Sequence, residues 1–573
     1  MDSVTRHASA LMPPRAALPM AEQDFARSPS AAHVTRKRTL RDVIWRFAAF
    51  APAFLITAVL SSGIAGWLAQ GGVTFLEALV VALVAVTFIW VSLSVTTVML
   101  GLIRRMTNPC RTKLSPTRGG PQTIALLVPI YNEVPWDVFG NASAMLKELD
   151  QGPQKDRYTL FVLSDTRDPA IAEQELRAFY ALRADAPESV DVYYRRREVN
   201  TDKKVGNLSD WIENWGAAHD AMIVLDADSL MSGAAIRQLA HELAADPHAG
   251  LIQSFPSLIG AETLFGRMQQ FSNSVYGWLL AEGLAVWSQR ESNYWGHNAI
   301  IRTRAFAQSA RLPYLRSLRG KENLILSHDF VEAGMLRRAG WGVRFLPRAG
   351  GSFEETPQTL IDYALRDRRW CQGNMQHLRL LATRGFHPVS RFHMLQGAVA
   401  FLMSPAWFAL IVIWAMIGTM QPETTSYFSA ANPLRPVWPT VEHISGYTYL
   451  SIIYAMLLMP KITATIALGL RPRTRGDYGG WLPFAGSALF EIVCSILYAP
   501  ILMVQQTIAV IDAFLGKSSG WTPQNRAGHG HSWRQTLRFH WVETLCGTLM
   551  TIGILLGAVS LWLAPIAFSL TLA

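Results

Sequence analysis

The chain alternates between two kinds of hydrophobic pattern, which divide it into segments. Long apolar stretches occupy both ends, whereas the middle carries short apolar runs separated by polar segments with helical spacing. Residues 43–70 and 74–103 are each long enough, at ~1.5 Å per residue, to cross a hydrocarbon core about 30 Å thick. The pattern predicts a transmembrane hairpin over 43–103, preceded by a disordered cytoplasmic tail over 1–42.

Apolar stretches return after the central domain. Residues 391–470 predict a second transmembrane hairpin, because two apolar stretches are joined by a loop poor in Lys and Arg. Residues 484–515 are broken by Pro500 and are followed by basic residues, so we expect an interfacial or partly inserted helix. Residues 541–573 predict a C-terminal transmembrane segment, either one tilted helix or a tight hairpin around Pro565. The pattern predicts about six spans.

Charge sets the expected orientation. Lys37 and Arg38 precede the first hairpin, and Arg104 and Arg105 follow it. Basic loops stay on the cytoplasmic side of a membrane, so we expect a cytoplasmic central domain. Only 16% of the residues are charged, against about a quarter in soluble domains. The net charge of +10 therefore indicates contact with membrane lipid rather than with nucleic acid.

The central segment, residues 120–350, has the pattern of a parallel α/β sheet covered by helices on both faces. Its predicted strands are the runs TIALLVP, YTLFVLS, VDVYY and AMIVLD. Ligands gather at the carboxyl ends of such strands, where loops and helix starts present N–H groups to phosphate. Polar residues that follow these strands are therefore candidate site residues, namely Tyr131, Glu133, Asp165, Asp226 and Asp228.

The acidic pair Asp226 and Asp228 suits a divalent cation, because Mg²⁺ and Mn²⁺ prefer hard oxygen ligands. Such a cation would neutralise charge on a departing diphosphate. Aspartates two residues apart are also common in turns and helix caps, so the pair alone leaves both interpretations open. Lys204 follows a basic run over 195–197 and suits either phosphate binding or a solvated loop.

Two later motifs also have two interpretations. Asp329, in SHDF, opens a helical pattern, where it would serve as a general base or as a helix cap. Residues 351–390 predict interfacial helices that contain RDRRW. There, Arg366 and Arg369 suit a diphosphate and Trp370 suits a sugar ring. The same residues also suit an amphipathic helix at the lipid headgroups.

Taken in order, VPIYNE, SD at Asp165, KVGN, DAD, SHDF and RDRRW resemble the motifs of the processive glycosyltransferases of family 2, which include cellulose, chitin and hyaluronan synthases. That group has TED where this chain has SHD, and QxxRW where it has RDRRW. The variants YWGHNAIIR, SHDFVEAGMLRRAGW and RDRRWCQGN are most similar to the glucan biosynthesis glucosyltransferase H family, which makes the backbone of osmoregulated periplasmic glucans.

The resemblance implies an integral membrane protein with an α/β GT-A-like cytosolic domain inserted between transmembrane α-helical bundles, in a bacterial inner membrane. It implies processive, inverting synthesis of a linear β-1,2-glucan from UDP-glucose with Mg²⁺ or Mn²⁺, and delivery of the product to the periplasm. Acyl carrier protein is a candidate partner, because some members are associated with it.

Site roles follow from the same resemblance. Asp329 would be the catalytic base, and Asp226 and Asp228 would hold the metal. Further residues would contact UDP or the growing glucan chain, namely Tyr131, Glu133, Asp165, Lys204, Asn207, Asp226, Trp295, Gly296, His297, Asn298, Arg366, Arg369 and Trp370. Residues 516–535 would form a gating loop with Trp521, Thr522, Gln524 and Arg526 as contacts.

Two alternatives remain. A cellulose-like or hyaluronan-like synthase would use the same chemistry to make a different product. A transporter whose cytosolic domain only senses nucleotide would share the membrane pattern without the reaction.

Overall fold

The computed structural model describes residues 11–27, 39–69, 73–108, 119–153, 155–316, 322–420, 428–429, 432–436, 446–517 and 530–573. The chain forms two compact units. The first comprises Met1–Ile44, Ile103–Val399 and Asp512–His529, and the second comprises Trp45–Leu102, Ala400–Ile511 and Gly530–Ala573.

The strands are β1 Thr123–Ile130, β2 Arg157–Ser164, β3 Asp191–Arg196, β4 Ala221–Val224, β5 Leu230–Met231, β6 Ala249–Ser254, β7 Ser257–Ile259, β8 Ala299–Arg302, β9 Leu315–Arg316, β10 Glu322–Asn323, β11 Gly342–Leu346, β12 Ser352–Glu355, β13 Phe428–Ser429 and β14 Asn432–Pro436. The main sheet has the order β11-β6-β8-β4-β1-β2-β3, and the three smaller sheets are β5-β12-β7, β9-β10 and β13-β14.

The α-helices are α1 Leu40–Leu68, α2 Phe75–Thr107, α3 Pro135–Asp150, α4 Pro169–Asp185, α5 Lys203–Trp215, α6 Gly233–Ala245, α7 Leu264–Ser272, α8 Trp278–Ser288, α9 Thr303–Ser309, α10 His328–Arg338, α11 Leu360–Leu380, α12 Pro388–Met420, α13 Gly446–Gly469, α14 Pro472–Asp477, α15 Trp481–Phe514, α16 Trp533–Phe539, α17 Trp541–Leu555 and α18 Ala564–Thr571. A π-helical segment, Asn273–Gly277, joins α7 to α8.

The four predicted runs form β1 to β4, and the pairs β1-β2, β2-β3 and β1-β4 are parallel as expected. The sheet is mixed, however, because β8 runs antiparallel to both β4 and β6. Reversal of this one strand places its amino end at the edge where the parallel strands have their carboxyl ends. The segment 295–298, which leads into β8, is thereby delivered to the edge where ligands are expected.

Alternation along the strands divides the core into two faces. On β2, Leu160 and Val162 are buried with α3, α4 and α6, whereas Phe161 and Leu163 are buried with α5, α9 and α10. Both faces of β1, β2 and β4 are apolar because helices cover both sides of the sheet. Each large apolar side chain buried in this way contributes about 1.5–3 kcal/mol.

The amino-terminal segment differs from its prediction. Residues 11–27 are not a disordered tail, because they pack against the central domain within the first unit. Leu11 O accepts the Tyr194 N–H at 2.9 Å, and Met20 is buried in the core beside α5. Arg338 donates to Asp24 O at 2.7 Å. The polar composition pointed to disorder, but apolar residues spaced along the segment cover the domain surface.

In the second unit, long apolar helices dominate. Five described helices are long and apolar enough to cross a membrane, namely Leu40–Leu68, Phe75–Thr107, Pro388–Ile413, Ser451–Gly469 and Trp481–Phe514. Helix α15 continues through Pro500 for 34 residues. The C-terminal stretch forms two shorter helices, α17 and α18, rather than one long helix; the chain turns before Pro565, which lies in the first turn of α18.

Polar contacts link the long helices. Thr57 Oγ1 donates to Ser92 Oγ at 3.1 Å between α1 and α2. Lys461 on α13 pairs with Glu491 on α15 at 2.9 Å and also donates to Ser495 at 2.8 Å. Such contacts are typical of membrane helices, where lipid provides no competing partner and an isolated charge is costly.

Candidate active site

Two strand-end loops lie side by side at the carboxyl edge of the sheet. Asp165, which follows β2, is buried, and Arg197 donates to both of its carboxylate oxygens at 2.6 Å. The Asp165 N–H donates to Ile130 O at 2.9 Å, which ties the end of β2 to the end of β1. Asn132 adopts a positive φ of 53°, a conformation that asparagine tolerates better than most residues. These contacts fix the shape of the edge.

Lys204 connects three parts of the site. It lies in the first turn of α5, after two residues with positive φ, Asp202 at 57° and Lys203 at 52°. Its Nζ pairs with the Asp226 carboxylate and donates to Gly296 O at 2.8 Å. The Lys204 cation thereby joins the start of α5 to the turn after β4 and to the loop before β8.

Asp329 lies close to the same glycine. It is in the first turn of α10, where a carboxylate is favoured by the helix dipole. A Cβ placed on Gly296 would lie 3.6 Å from Asp329 Oδ2. Gly296 has a φ of 90°, which suits glycine. The Gly296 carbonyl therefore accepts from Lys204, while the space beside the glycine where a Cβ would lie is next to the Asp329 carboxylate.

The surroundings of Asp329 are acidic. Burial raises the pKa of Asp329, Glu332 acts in the same direction, and the charges of His328 and Lys204 oppose the rise. Tyr294 is fully buried nearby; burial and the charges of Glu332, Asp226 and Asp329 raise its pKa well above the ordinary value. The Tyr294 hydroxyl therefore stays protonated among three carboxylates.

The segment before β8 has mixed roles. His297 Nε2 lies 2.9 Å from Glu354 Oε2; burial lowers the pKa of His297, but Glu354 outweighs it and the pKa rises to about 9. Asn298 is fully buried and donates to Ser352 Oγ at 3.0 Å. Trp295 packs edge-on against a phenylalanine of β11 at 4.9 Å. His297 is thus a cation at neutral pH, while Asn298 braces the fold.

On α11, Arg366 lies between two aromatic rings. Its guanidinium carbon is 5.2 Å from the ring centroid of Tyr363 and 4.4 Å from that of Trp370. Burial, with the neighbouring Arg366, lowers the pKa of Arg369. The Trp370 side chain is half exposed. Cation–π contacts of this kind hold the Arg366 guanidinium and the Trp370 ring in a fixed relative position.

The later part of α11 holds the loop that leads to Asp329. Gln376 accepts the Leu326 N–H at 2.9 Å, and His377 Nε2 lies 2.8 Å from Ser327 O. Burial lowers the pKa of His377 to about 4, so the ring is neutral at physiological pH and donates from Nε2. Because Ser327 immediately precedes α10, α11 determines where that helix begins.

Gly373 allows α11 to approach this loop. A Cβ at Gly373 would lie 2.6 Å from Ser327 N, so backbone would have to shift. For the glycosyl transfer that the resemblance implies, we expect Gly373→Ala to lower kcat by about 10-fold or more, since misplacing a reacting group by ~1 Å has effects of this size. Gly140→Ala on α3 is the matched control, because a Cβ there meets nothing within 4 Å. Initial rates of both variants check this, and equal rates would contradict it.

Asp226 and Asp228 fit a divalent cation by chemistry and position. Both are partly exposed oxygen donors in the turn after β4. The described residues contain no group of three or more His, Cys, Asp or Glu side chains arranged for a metal. Two carboxylates suffice for Mg²⁺ when substrate phosphates and water complete its shell. The pair therefore fits a cation that arrives with a diphosphate.

The structure brings some predicted residues together and separates others. Lys204, Asp226 and Asp329 converge at Gly296. Tyr131 and Glu133 flank Asn132 at the same edge of the sheet. Asn207 is buried instead, donating to Leu163 O at 2.9 Å and accepting from Arg195. The proposed gating contacts, Trp521, Thr522, Gln524 and Arg526, lie outside the described residues.

Several residues that contact the site residues were not predicted from the sequence. Arg197 was within a basic run, but its pairing with Asp165, 32 residues earlier, had no local signal. Glu332 was detectable, because it lies four residues after His328, the spacing at which helical side chains meet. Nothing in the pattern connected His297 with Glu354.

Comparison with known proteins is consistent with this geometry. The profile of glycosyl transferase family 2 matches residues 125–309, and that of glycosyl transferase family group 2 matches residues 221–467. A mannosyltransferase from Pyrobaculum calidifontis, solved with GDP-Man and Mn²⁺, covers 78% of this chain and 100% of its own at a TM-score of 0.40 and 12% identity.

Two relatives match nearly the whole chain. The glucans biosynthesis glucosyltransferase H of Shewanella oneidensis is 39% identical over 557 residues, which are 96% of this chain and 76% of the relative. Its counterpart in Rhodopseudomonas palustris is 40% identical over 580 residues, 98% of this chain and 78% of the relative. The central domain accordingly has a GT-A-like glycosyltransferase fold, and the chain belongs to the glucans biosynthesis glucosyltransferase H family, the enzymes of glucan synthesis in family 2.

Proposed function

We propose that this enzyme is a processive, inverting glucosyltransferase of the bacterial inner membrane. It uses UDP-glucose to build the linear β-1,2-glucan backbone of osmoregulated periplasmic glucans and moves the product across the membrane. The observation that carries the proposal is the convergence at Gly296, where the Lys204–Asp226 pair and the Asp329 carboxylate meet. Such a transfer requires positive charge beside the diphosphate, a carboxylate that can hold the metal, and a separate general base.

The chemistry assigns one role to each group. Asp329 accepts the proton of an acceptor hydroxyl while that oxygen attacks the anomeric carbon of glucose. The bond between this carbon and the UDP oxygen breaks, and UDP leaves with the electron pair. One displacement inverts the anomeric centre, so an α-linked donor gives a β-linked product. Lys204 and protonated His297 supply positive charge beside the leaving diphosphate.

Other parts of the site would bind the metal and the acceptor sugar and exclude water. Asp226 and Asp228 would hold Mg²⁺ or Mn²⁺, which when bound stabilises the charge of the diphosphate. Trp370, half exposed on α11, suits stacking against the acceptor sugar. A loop over 516–535 that closes over the UDP group would exclude water and so limit hydrolysis of UDP-glucose. Acyl carrier protein remains a candidate partner.

The raised pKa of Asp329 gives a pH prediction. A general base acts only when ionised, so activity falls as the pH falls through its pKa. Because burial raises the pKa of Asp329, we expect the acid limb of kcat/KM above pH ~4, where an ordinary aspartate titrates. Initial rates between pH 4 and 9, in buffers of constant ionic strength, measure the limb. A limb at or below the ordinary aspartate value would contradict the assignment.

The decisive experiment uses the purified full chain in detergent with radiolabelled UDP-glucose and Mg²⁺. We expect a polymer that resists β-1,4- and β-1,3-glucanases and gives 2-linked glucose on methylation. Chelation of divalent cations should stop synthesis, and their return should restore it. A β-1,4-linked product would favour the cellulose-like alternative. Activity only with another nucleotide sugar would reject the donor, and no transfer at all would favour a nucleotide-sensing transporter.

A further inference from the structure

A buried carboxylate lies beneath the two strand-end loops. Glu175, on α4, has no exposed surface. Its Oε2 accepts hydroxyl hydrogens from Ser164 at 2.7 Å and from Tyr194 at 2.9 Å, and its Oε1 accepts from Thr166. Burying a carboxylate is costly unless hydrogen bonds replace its water. Three converging hydroxyl groups provide that replacement.

Two of these hydroxyl groups come from the residues on either side of Asp165. Side chains alternate along β2, so Ser164 and Thr166 continue the face covered by α4, whereas Asp165 continues the face covered by α5. Glu175 holds both neighbours on its own side. Asp165 is thereby turned to the opposite side, where Arg197 grips both of its oxygens at 2.6 Å.

The same contacts reach the loop after β1. Thr166 Oγ1, which donates to Glu175, also accepts the Asn132 N–H at 2.9 Å. Ser164 Oγ accepts the Thr166 N–H at 3.1 Å while donating to Glu175. One carboxylate thus fixes both hydroxyl groups as donors, which leaves their lone pairs free to accept backbone N–H groups. The loops 131–133 and 164–168 are set relative to each other through it.

We propose that Glu175 is a positioning residue for donor recognition, which holds the loops after β1 and β2 in the arrangement that binds the UDP part of the nucleotide sugar. This inference rests on the proposed function, because it presumes a UDP donor. Glu175 lies under the loops and does not itself touch the substrate. Its loss should therefore weaken donor binding more than it slows the chemical step at Asp329.

The Tyr194 hydroxyl offers a matched control. It contacts the same Glu175 oxygen as Ser164 does, but it comes from the middle of β3 and belongs to neither loop. Burial and the charge of Glu175 raise the pKa of Tyr194, so this hydroxyl stays protonated and donates. Tyr194→Phe removes one bond to Glu175 and leaves both loop contacts in place.

The experiment compares Glu175→Gln, Thr166→Val and Tyr194→Phe in the purified full chain. UDP affinity is measured by calorimetry, and kcat and KM for UDP-glucose are measured from initial rates. The thermal stability of each variant is measured in parallel. We expect Glu175→Gln and Thr166→Val to raise both the UDP Kd and the KM by about 10-fold, the effect of losing a hydrogen bond to a charged group. We expect kcat to change by less than about 3-fold, and Tyr194→Phe to change the Kd by less than about 2-fold.

The outcomes separate the possibilities. If Glu175→Gln lowers stability as Tyr194→Phe does but binds UDP like the wild type, Glu175 is only structural and the inference is overturned. If Glu175→Gln does not fold, Thr166→Val decides, because it breaks the link between the loops while the carboxylate stays in place; unchanged UDP affinity in that variant overturns the inference. A wild-type chain that binds no UDP would instead overturn the proposed function.

Discussion

Replacing Asp329 with asparagine is expected to reduce glucosyl transfer by about 10³- to 10⁴-fold and to leave UDP affinity within about 2-fold of the wild type. The amide keeps the shape of the carboxylate but cannot accept the acceptor proton. UDP binding should persist, because Lys204 keeps its contacts with Asp226 and with Gly296 O in this variant. Single-turnover rates and calorimetric titration with UDP test the two halves of the prediction.

Asp137→Asn is the control for this variant. Asp137 also lies in the first turn of a helix, α3, but its side chain is exposed. It should transfer glucose at the wild-type rate. Polymer output from Asp329→Asn equal to that of Asp137→Asn would show that Asp329 is not the catalytic base.

Replacing Lys204 with methionine is expected to lower kcat/KM for UDP-glucose by about 100-fold. The variant leaves the Asp226 carboxylate without its cation and the Gly296 carbonyl without its donor. It also removes a charge that lowers the pKa of Asp329. That pKa should rise further, so the acid limb of the pH–rate profile should move to higher pH. Rates measured across the pH range give both quantities.

Lys147→Met provides the comparison for Lys204. Lys147 also pairs with an aspartate, Asp185, at 2.6 Å, but both side chains are about half exposed. Exposed pairs of this kind contribute about 0–1 kcal/mol, so this variant should retain wild-type rates and the wild-type pH profile. An unmoved acid limb in Lys204→Met would show that Lys204 does not act on Asp329.

Much of the fold was predictable because its signals are local. Apolar runs bounded by polar residues identified β1 to β4, and the residues that follow β1, β2 and β4 identified the loops of the site. The antiparallel strand β8 was not predictable, since a four-residue run contains no information about its direction. Its direction depends on the helix that precedes it and on its neighbours β4 and β6.

The candidate site shows the same limit. Lys204 and Asp329 were identified by motif, but their meeting at Gly296 joins residues 92 positions apart in one case and 33 in the other. The role of α11 in holding the start of α10 was hidden too, because Gln376 and Leu326 are 50 residues apart. The polar composition of residues 11–27 predicted disorder. They are ordered because they pack against the surface of the central domain.

Local sequence was enough to identify the long apolar helices, the parallel strands with their acidic ends, and the order of the glycosyltransferase motifs. The direction of β8, the partners of Asp165, Asp226 and Glu175, and the position of Asp329 beside Gly296 became known from the folded chain. This difference arises because hydrophobic periodicity reports how each segment meets solvent or lipid. Which distant side chains meet depends on how the helices and strands pack together, and local sequence does not record this.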